Sequence, residues 1–486
     1  MRGVIERVPV ATPGLGLYGL FWLLVFTQLD YSTNTKNSID TLWQSLGIEY
    51  LTTDPLGSLS VLHIQPWGVN ALYALDLAVT PTSHMLLLIV YLFAGAASIF
   101  LLGATLQQVG LPRAWAMVAC LILAFLPGTV LYVFWPYNVT LSGFLGILAA
   151  FGLSLIRSRP MIGSCVSALA VLGLQLTRAS FVWVFVMLWC VFLLALLFRR
   201  FSGRQLMLAT LPVFVVIGIS AASQGYYWAN FHLPAMSSWS GQNIAKALMT
   251  SGKLNVTDSA RQKINQDACL TSLLTAYETR SLNVWDPGGL MQLPGCEQLL
   301  VKDADAIPAW DQDYRDSGAL NYNSRVGLAA SGEWNRMMSI IVLNDPVQLV
   351  RMALTTNTGP RSSGIGLYLD PSDEFPWIDE QRSLLPLGSV SGLLSLVFAP
   401  ALIVLILLGI GHALLVRGSY LRINVVYWGV LGIVTFHALV STLAEYAENM
   451  RFRAEIDPLL LLLGVMSLFA ISRSSQERTD DSVSVT

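Results

Sequence analysis

The sequence predicts an all-α polytopic membrane protein with about ten transmembrane helices. Of the 486 residues, 54% are hydrophobic and only 12% are charged, and a soluble domain carries about twice that charged fraction. Apolar runs of roughly twenty residues recur from Leu15 to Phe469, which is the length a helix needs to cross the hydrocarbon core. These runs are continuous and do not alternate, which excludes a transmembrane β-barrel.

The apolar runs divide the chain into membrane spans and two long outer segments. The predicted spans are 14–29, 85–106, 114–134, 139–156, 161–178, 180–198, 205–225, 388–415, 423–442 and 457–472. They define an N-terminal membrane module (1–225, with a first outer loop at 30–84), a loop domain (226–387), C-terminal transmembrane helices (388–472) and a tail (473–486). The tail is polar and lacks aromatic residues, so we predict that it is disordered in the cytoplasm.

Arginine sets the predicted orientation of the bundle. One set of short loops and termini carries Arg2, Arg7, Arg113, Arg157, Arg159, Arg199, Arg200, Arg204, Arg417, Arg422, Arg473 and Arg478. The short loops opposite carry only Lys36, Arg178, Arg451 and Arg453. The positive-inside rule therefore predicts that both termini are cytoplasmic. The dominance of arginine over lysine in the inner loops favours a bacterial plasma membrane.

The cysteines fall into two groups. Cys120, Cys165 and Cys190 lie in predicted spans, where we expect inert packing residues. Cys269 and Cys296 both lie in the loop domain. If that domain is outside the cytoplasm, the two can form a disulfide, although two free thiols are equally compatible with the spacing.

The first outer loop carries two candidate catalytic carboxylates, Asp30 and Asp40. The spacing of one helical face is kept by Ile39, Leu42, Trp43, Leu46 and Tyr50, which predicts a helix lying in the membrane interface. Asp40 lies in its first turn, where it can act as a general base or bind a divalent cation. The alternative is that Asp40 only begins a helix and Asp30 only ends a span.

The same loop ends in a polar and aromatic segment, residues 63–70. It contains two candidate substrate-binding residues, His63 and Gln65. Pro66 ends any preceding helix, and Gly68 permits a close approach of another backbone. A histidine in this setting is either a functional group or a hydrogen-bonded part of the structure.

Three arginines on the outer side are candidate phosphate ligands. Arg451 and Arg453 precede the last span and oppose the charge rule, and guanidinium groups bind phosphate bidentately. At this depth, the phosphate belongs to a lipid. If the segment is helical, one face is shared by Glu445, Glu448, Arg451 and Glu455, and a solvated, ion-paired helix end is the alternative. Arg178 lies in almost unbroken apolar sequence, where a charge indicates a functional site or snorkels to the outer surface.

The loop domain repeatedly places tryptophan beside acidic residues, as in Trp310-Asp311. Such pairs suit carbohydrate binding, and tryptophan is equally typical of membrane interfaces. The apolar spacing predicts helix over 334–354, which Pro346 divides into two. This domain is the expected place for acceptor choice and could cover an active site.

Taken together, these features resemble the GT-C superfamily of integral-membrane glycosyltransferases. The resemblance rests on an acidic residue after the first span, an interfacial helix, the sequence His63-Ile64-Gln65-Pro66 and the stretch from Glu448 to Pro458. Within it, the chain resembles bacterial members related to the protein mannosyltransferases and to the aminoarabinose and galacturonic acid transferases of lipid A. The resemblance implies a GT-C-like fold with an interfacial helix and a large extracytoplasmic loop domain.

The resemblance also implies an activity. Such enzymes move a sugar from a polyprenyl-phosphate carrier to an acceptor at the outer face, which can be an envelope glycan, a lipid or a protein, with no nucleic-acid partner. The family's catalytic carboxylate follows the first span, where Asp30 and Asp40 both match. A second acidic residue often follows it in the family. Here Tyr31 and Thr41 stand instead, which leaves open both the choice of base and the binding of a divalent cation, the one cofactor considered.

Further correspondences concern the sugar donor. The family's Lys-Pro-Pro or Gln-Pro-Pro sequence corresponds to Gln65-Pro66, with Trp67 in place of the second proline. Its arginine stretch corresponds to Glu448, Arg451 and Arg453. Arginines here, together with Arg178, would neutralise the departing lipid phosphate while an aspartate accepts the acceptor's proton. A single displacement would then invert the anomeric centre.

Two other classes of function compete with a transferase. A transporter or flippase for a lipid-linked substrate should show internal repeats and polar broken helices near the midplane, and the sequence shows charge mainly at one surface. A membrane assembly factor that has lost the chemistry would fit the incomplete acidic motif. Sugar-transfer assays on single Asp30→Asn and Asp40→Asn variants test the transferase against the other two classes.

Overall fold

The computed structural model describes residues 9–28, 45–126, 133, 138–233, 237–297, 307–353, 387–416, 419–444 and 449–483. For 24–28, 387–400, 423, 442–444, 449–454 and 475–483, the description is confined to the backbone. The regular elements of these residues are helices, apart from one β-bridge between Tyr314 and Leu320. This confirms the predicted all-α class.

Twenty α-helices are formed by the described residues. Ten belong to the membrane-associated part: α1 (Thr12–Gln28), α4 (Trp67–Val79), α5 (Met85–Gln108), α6 (Arg113–Phe125), α7 (Asn138–Leu155), α8 (Pro160–Thr177), α9 (Trp183–Arg200), α10 (Gly203–Phe231), α18 (Leu387–Leu415) and α19 (Val425–Ala444). An eleventh helix, α20 (Asn449–Val483), completes the bundle. The outer segments form α2 (Ile48–Thr53), α3 (Pro55–Ser60), α11 (Ser240–Ser251), α12 (Asp258–Ile264), α13 (Ala268–Glu278), α14 (Pro287–Met291), α15 (Pro308–Asp311), α16 (Arg325–Asn344) and α17 (Val347–Ala353).

Six helices of the described residues are long and apolar enough to cross a membrane. They are α5, α7, α8, α9, α10 and the part of α20 from Glu455 to Ser474. Shorter apolar stretches lie in α4, α6, α18 and α19. The polytopic character is consistent with the sequence prediction, whereas the count of about ten spans stays a prediction.

The centre of the bundle is α7, which contacts α5, α8, α19 and α20. Glycines let these helices approach closely, as small residues do in membrane bundles. A Cβ on Gly152 would lie 2.5 Å from the Ser167 nitrogen of α8, and a Cβ on Gly146 would lie 3.0 Å from a methyl of Leu459 in α20. The first half of α7 therefore lies directly against α20, and a Cβ on Gly143 would be in ordinary contact with the Glu455 carbonyl oxygen.

Several arginine-bearing loops meet at one end of the bundle. Tyr420, in the short 3₁₀ turn Tyr420–Ile423, donates to the carbonyl of Val109 in the α5–α6 loop. His412 at the end of α18 contacts the hydroxyl of Ser474 in α20 at 2.9 Å. The loops that carry Arg113, Arg422 and Arg473 are thus at one end, as the sequence predicts, and the compartment that they face stays a prediction.

The loop domain has its own apolar core, formed by α11–α14, α16 and α17. Four of its helices, α12, α13, α14 and α16, have an N-cap side chain that accepts a hydrogen bond from a backbone nitrogen of the first turn. These N-cap residues are Thr257, Asp267, Asp286 and Ser324. Cys269 and Cys296 form a disulfide across 27 residues, which confirms the pairing that the spacing left open. The predicted break at Pro346 is confirmed as well, since α16 ends at Asn344 and α17 begins at Val347.

The loop domain lies against the first outer loop. The Tyr50 hydroxyl donates to Gln312 Oε1 at 3.0 Å, and Arg315 Nη2 donates to the Ser45 carbonyl at 2.6 Å. Arg315 is only 4% exposed, so this contact is part of a buried seam. The two outer segments that are far apart in sequence therefore form one structure above the bundle.

Two sequence predictions are corrected by these helices. The predicted interfacial helix does not run as far as Tyr50, because Leu46 and Gly47 are not helical and α2 begins only at Ile48. The Leu46 N–H is bonded instead by Asn70 Oδ1 at 2.7 Å. The tail predicted to be disordered is helical as far as Val483, because extending an existing helix costs less than starting one.

Candidate functional site

Three ionisable side chains from separate parts of the chain meet inside the bundle, toward the end at which the loop domain contacts α19. Arg178 Nε lies 3.1 Å from Glu455 Oε1, and the other carboxylate oxygen lies 3.1 Å from His437 Nε2. Arg178 is 2% exposed, and the side chains of Glu455 and His437 are fully buried. We call Arg178, His437 and Glu455 the ion cluster.

Each member is positioned by its own element. Arg178 follows the last residue of α8 and lies in the turn that leads to α9, while Glu455 lies in the second turn of α20. His437 projects from α19, where the Ser441 hydroxyl lies 3.4 Å from Nδ1 and the Phe181 ring centroid lies 5.0 Å from the imidazole centroid. The cluster therefore ties α19, α20 and the α8–α9 turn together.

The burial of Arg178 decides between the two interpretations of this residue, a functional site and a snorkelling side chain. An arginine that snorkels would leave its guanidinium in water, whereas this one is enclosed and paired with a carboxylate. The snorkelling alternative is therefore wrong. Desolvating an ion pair costs several kcal/mol, and the attraction offsets this only in good geometry, so a buried pair is weak support for a purely stabilising role.

The 63–70 segment joins the end of α8 directly. A Cβ on Gly68 would lie 2.4 Å from the Leu176 carbonyl oxygen, two residues before Arg178. This confirms the predicted close backbone approach. Pro66 does not end a helix, because α3 has already ended at Ser60; it directly precedes α4 as the N-cap residue.

His63 is completely buried between the first outer loop and the loop domain. Its Nδ1 lies 2.9 Å from the Ser238 hydroxyl and its Nε2 lies 3.4 Å from the Ser324 carbonyl. Because a carbonyl only accepts, Nε2 carries the proton and Nδ1 accepts from the serine. Burial lowers the pKa of His63 to about 4. A neutral imidazole with both nitrogens engaged favours the structural interpretation of this residue.

Gln65 is buried beside the same seam. Its backbone carbonyl accepts a hydrogen bond from the Tyr227 hydroxyl of α10 at 3.1 Å. Tyr226 donates to the Ser60 carbonyl at 2.5 Å, so α10 holds the first outer loop at two points. Gln65, a predicted substrate-binding residue, therefore lies close to the end of α8 that leads to Arg178.

The remaining predicted site residues are only partly described. Asp30, Asp40 and Glu448 lie outside the described residues. Only the backbone of Arg451 and Arg453 is described. They lie in α20, about one turn and half a turn before Glu455. The structure thus brings the Arg178 segment, the 63–70 segment and the start of α20 to one place, and it leaves the two carboxylates as predictions.

Glu455 and His437 are functional candidates that the sequence analysis did not select as site residues. Each is an ionisable residue at or within an apolar helix, which is the signal that singled out Arg178. A second buried pair, Asp76 and His84 at 2.6 Å, was also missed. Asp76 Oδ1 accepts from the Leu87 nitrogen at 3.1 Å and so caps α5, which assigns this pair to structure.

The tryptophans of the loop domain mostly serve its packing. Trp239 and Trp334 are buried, and Trp239 packs against Trp285 and Tyr322. Trp310 lies 5.6 Å from the Arg325 guanidinium in a cation–π contact. Trp239 and Trp334 are thus unsuited to stacking on a sugar at the surface.

Metal ligands are not grouped in the described part of the chain. No set of three or more histidine, cysteine, aspartate or glutamate side chains there could hold an ion. The divalent cation considered for Asp30 and Asp40 concerns residues outside that part and stays a prediction.

The ion cluster and the adjoining seam therefore define the candidate site at the end of the bundle where the two outer segments meet. Neither protein-family models nor curated proteins give a match to this chain.

Proposed function

We propose that this protein is a membrane glycosyltransferase that moves a sugar from a polyprenyl-phosphate carrier to an acceptor at the outer face of the membrane. The observation that carries the proposal is the buried Arg178, held by Glu455 at the bundle end covered by the loop domain. An enclosed guanidinium at this depth suits the phosphate of a lipid carrier.

Glu455 and His437 give Arg178 a fixed orientation. The carboxylate contacts Nε of the guanidinium with one oxygen and the imidazole with the other. A guanidinium held in place before the ligand arrives loses little entropy on binding and needs no rearrangement as charge develops on the leaving phosphate. Arg451 and Arg453 are proposed to complete the phosphate site.

The proposed topology is GT-C-like, with about ten spans and both termini in the cytoplasm of a bacterial cell. The disulfide in the loop domain supports its extracytoplasmic side, because disulfides persist in oxidising compartments. The grouping of Arg113, Arg422 and Arg473 at the other end supports the same orientation. Asp30 or Asp40 is proposed as the base toward the acceptor hydroxyl.

Sugar transfer in membranes tests the proposal. Membranes containing the protein would be incubated with radiolabelled polyprenyl-phosphate sugars, and label in envelope glycan, lipid and protein would be counted. We expect Asp30→Asn or Asp40→Asn to reduce transfer by about 100-fold or more. Arg178→Lys should also reduce transfer, because an ammonium cannot bind phosphate bidentately.

The matched control is Arg336→Gln. Arg336 is half exposed in the loop domain and pairs with Asp267 and Glu333, away from the ion cluster. We expect it to leave transfer unchanged. Undiminished transfer in both aspartate variants would remove the assignment of the base, and undiminished transfer in the Arg178→Lys variant would remove the phosphate role.

A transporter or flippase for a lipid-linked substrate is a second candidate, favoured by three ionisable groups that are joined through Glu455 inside the bundle. Such clusters also occur on substrate and proton pathways. Proteoliposomes distinguish the two, because a flippase would move a labelled polyprenyl phosphate between leaflets without an acceptor. A non-catalytic assembly factor would do neither.

A further inference from the structure

Three buried side chains, two in the outer part of α7 and one in the turn between α8 and α9, carry polar atoms without a hydrogen-bond partner among the residues described. They are Asn138 with both amide atoms, Ser142 and Ser180. Their exposures are 1%, 1% and 3%. Burying a donor or acceptor costs free energy unless a partner binds it, so this group, which we call the polar layer, indicates an occupant.

Helix register places the polar layer beside Arg178. A Cβ on Gly173 of α8 would lie 3.0 Å from a methyl of Leu145, and α7 runs antiparallel to α8. Asn138 is two turns before Leu145 on the same face of α7. Two helical turns beyond Gly173, the chain has reached the connection between α8 and α9, which holds Arg178 and Ser180. Asn138 therefore faces that turn.

The polar layer also lies on the outer side of the ion cluster. Gly143 packs beside the Glu455 carbonyl. Asn138 lies five residues before it, about 7.5 Å closer to the outer end of the bundle at the rise of an α-helix. Ser142 precedes Gly143 by one residue, so it lies at the level of Glu455 and deeper in the bundle than Asn138. The layer thus extends from the ion cluster toward the outer surface.

The chemistry of the layer selects its occupant. An amide and two hydroxyls supply neutral donors and acceptors together. A phosphate only accepts and would leave Asn138 Oδ1 without a partner, and a prenyl chain would leave every atom of the layer without one. Sugar hydroxyls both donate and accept, so they match all three side chains.

We propose that the polar layer binds the sugar of the polyprenyl-phosphate donor, an inference that rests on the proposed function. A carrier lipid lies with its chain in the bilayer, its phosphate at the level of Arg178 and its sugar beyond. Asn138 lies beyond Glu455, the partner of the Arg178 guanidinium, in the same outward direction. These side chains would hold the ring by hydrogen bonds while the guanidinium holds the phosphate.

Binding to the purified full-length protein in detergent tests this inference without requiring transfer. The probes are undecaprenyl phosphate and its derivatives that carry a hexose, a pentose or an amino sugar. We expect the wild-type protein to bind at least one derivative more tightly than the bare phosphate. Asn138→Leu should reduce that gain by about tenfold, the equivalent of one lost buried hydrogen bond, and leave binding of the bare phosphate unchanged.

If Asn138→Leu does not fold, Ser142→Ala and Ser180→Ala are measured in its place. Their matched control is Ser164→Ala, because the buried Ser164 hydroxyl of α8 already donates to the Ala209 carbonyl at 2.7 Å. We expect Ser164→Ala to lower the melting temperature without affecting the sugar-dependent gain. Ser142→Ala should leave the melting temperature of the ligand-free protein unchanged and reduce the gain.

Two results would overturn the inference. One is a wild-type protein that binds no derivative better than the bare phosphate. The other is an unchanged gain in the polar-layer variants, which would mean that water alone satisfies these atoms. A gain that the variants lose, in a protein that transfers no sugar in membranes, would support the subsite and remove the proposed transferase activity.

Discussion

At the scale of single residues, the ion cluster has the largest predicted energetic effect. Glu455 is the shared partner of Arg178 and His437, and all three are buried. The sequence could identify Arg178, because a charge in apolar sequence stands out. It could not identify the partners, since α19 and α20 follow α8 only after two further helices, the loop domain and α18.

Replacing Glu455 by leucine should destabilise the protein by about 3–5 kcal/mol, because it leaves the buried Arg178 charge without its carboxylate. Adding Arg178→Met should recover much of this loss, since both charges are then gone. Thermal unfolding of the purified single and double variants measures the coupling. Losses that simply add would contradict the pairing.

His63 should make stability depend on pH. Its pKa is about 4 in the folded protein and 6.5 in its ordinary state, so the unfolded chain binds more protons between these values. The full contribution is present above pH 6.5 and is lost as the pH falls, by about 3 kcal/mol at pH 4. Unfolding curves from pH 7 to pH 4 measure it.

The control for this pH dependence is a second histidine. His63→Gln cannot titrate and should remove the part of the slope between pH 6.5 and pH 4. His232→Gln makes the same substitution at an exposed position at the end of α10, outside the buried seam. Identical slopes in the wild-type protein and the His63 variant would show that this imidazole is not held neutral.

At the scale of elements, the contact between α4 and the end of α8 depends on a single missing side chain. Gly68→Ala would place a methyl group against the Leu176 carbonyl, at 2.4 Å before any relaxation. We expect a loss of about 1–3 kcal/mol from this overpacking. Because Leu176 precedes Arg178 by two residues, sugar transfer should fall as well. Thermal unfolding and the membrane assay measure the two effects.

Gly218→Ala is the matched control for Gly68→Ala. Gly218 lies in α10, and a Cβ there would meet nothing within 4 Å. The change should be neutral or stabilise by up to about 1 kcal/mol, because alanine favours the helix. Equal effects of the two substitutions would show that the contact with Leu176 is not close.

The helices of the bundle were predictable because span length and apolarity are local properties of the chain. The interfacial helix was not, since the spacing from Ile39 to Tyr50 kept a helical period across Leu46 and Gly47, where the backbone is not helical. There, a hydrogen bond from the distant Asn70 replaces the helical one. Tertiary contacts of this kind leave no trace in a periodic pattern.

At the scale of the whole molecule, the orientation across the membrane can be tested with two added cysteines. Lys253 is exposed in the loop domain, and Arg204 is exposed at the start of α10. A membrane-impermeant maleimide applied to intact cells should label Lys253→Cys and not Arg204→Cys, and permeabilised cells should show both. The reverse pattern would contradict the proposed orientation.

The distance along the chain between Arg178 and Glu455 has a consequence for biosynthesis. When α8 leaves the ribosome, the carboxylate that will neutralise its arginine has not been translated. The guanidinium must wait at the lipid surface or in the insertion machinery until α20 arrives. A nascent chain truncated before α20 should therefore be recognised as incomplete and degraded, which makes the final helix a checkpoint for assembly.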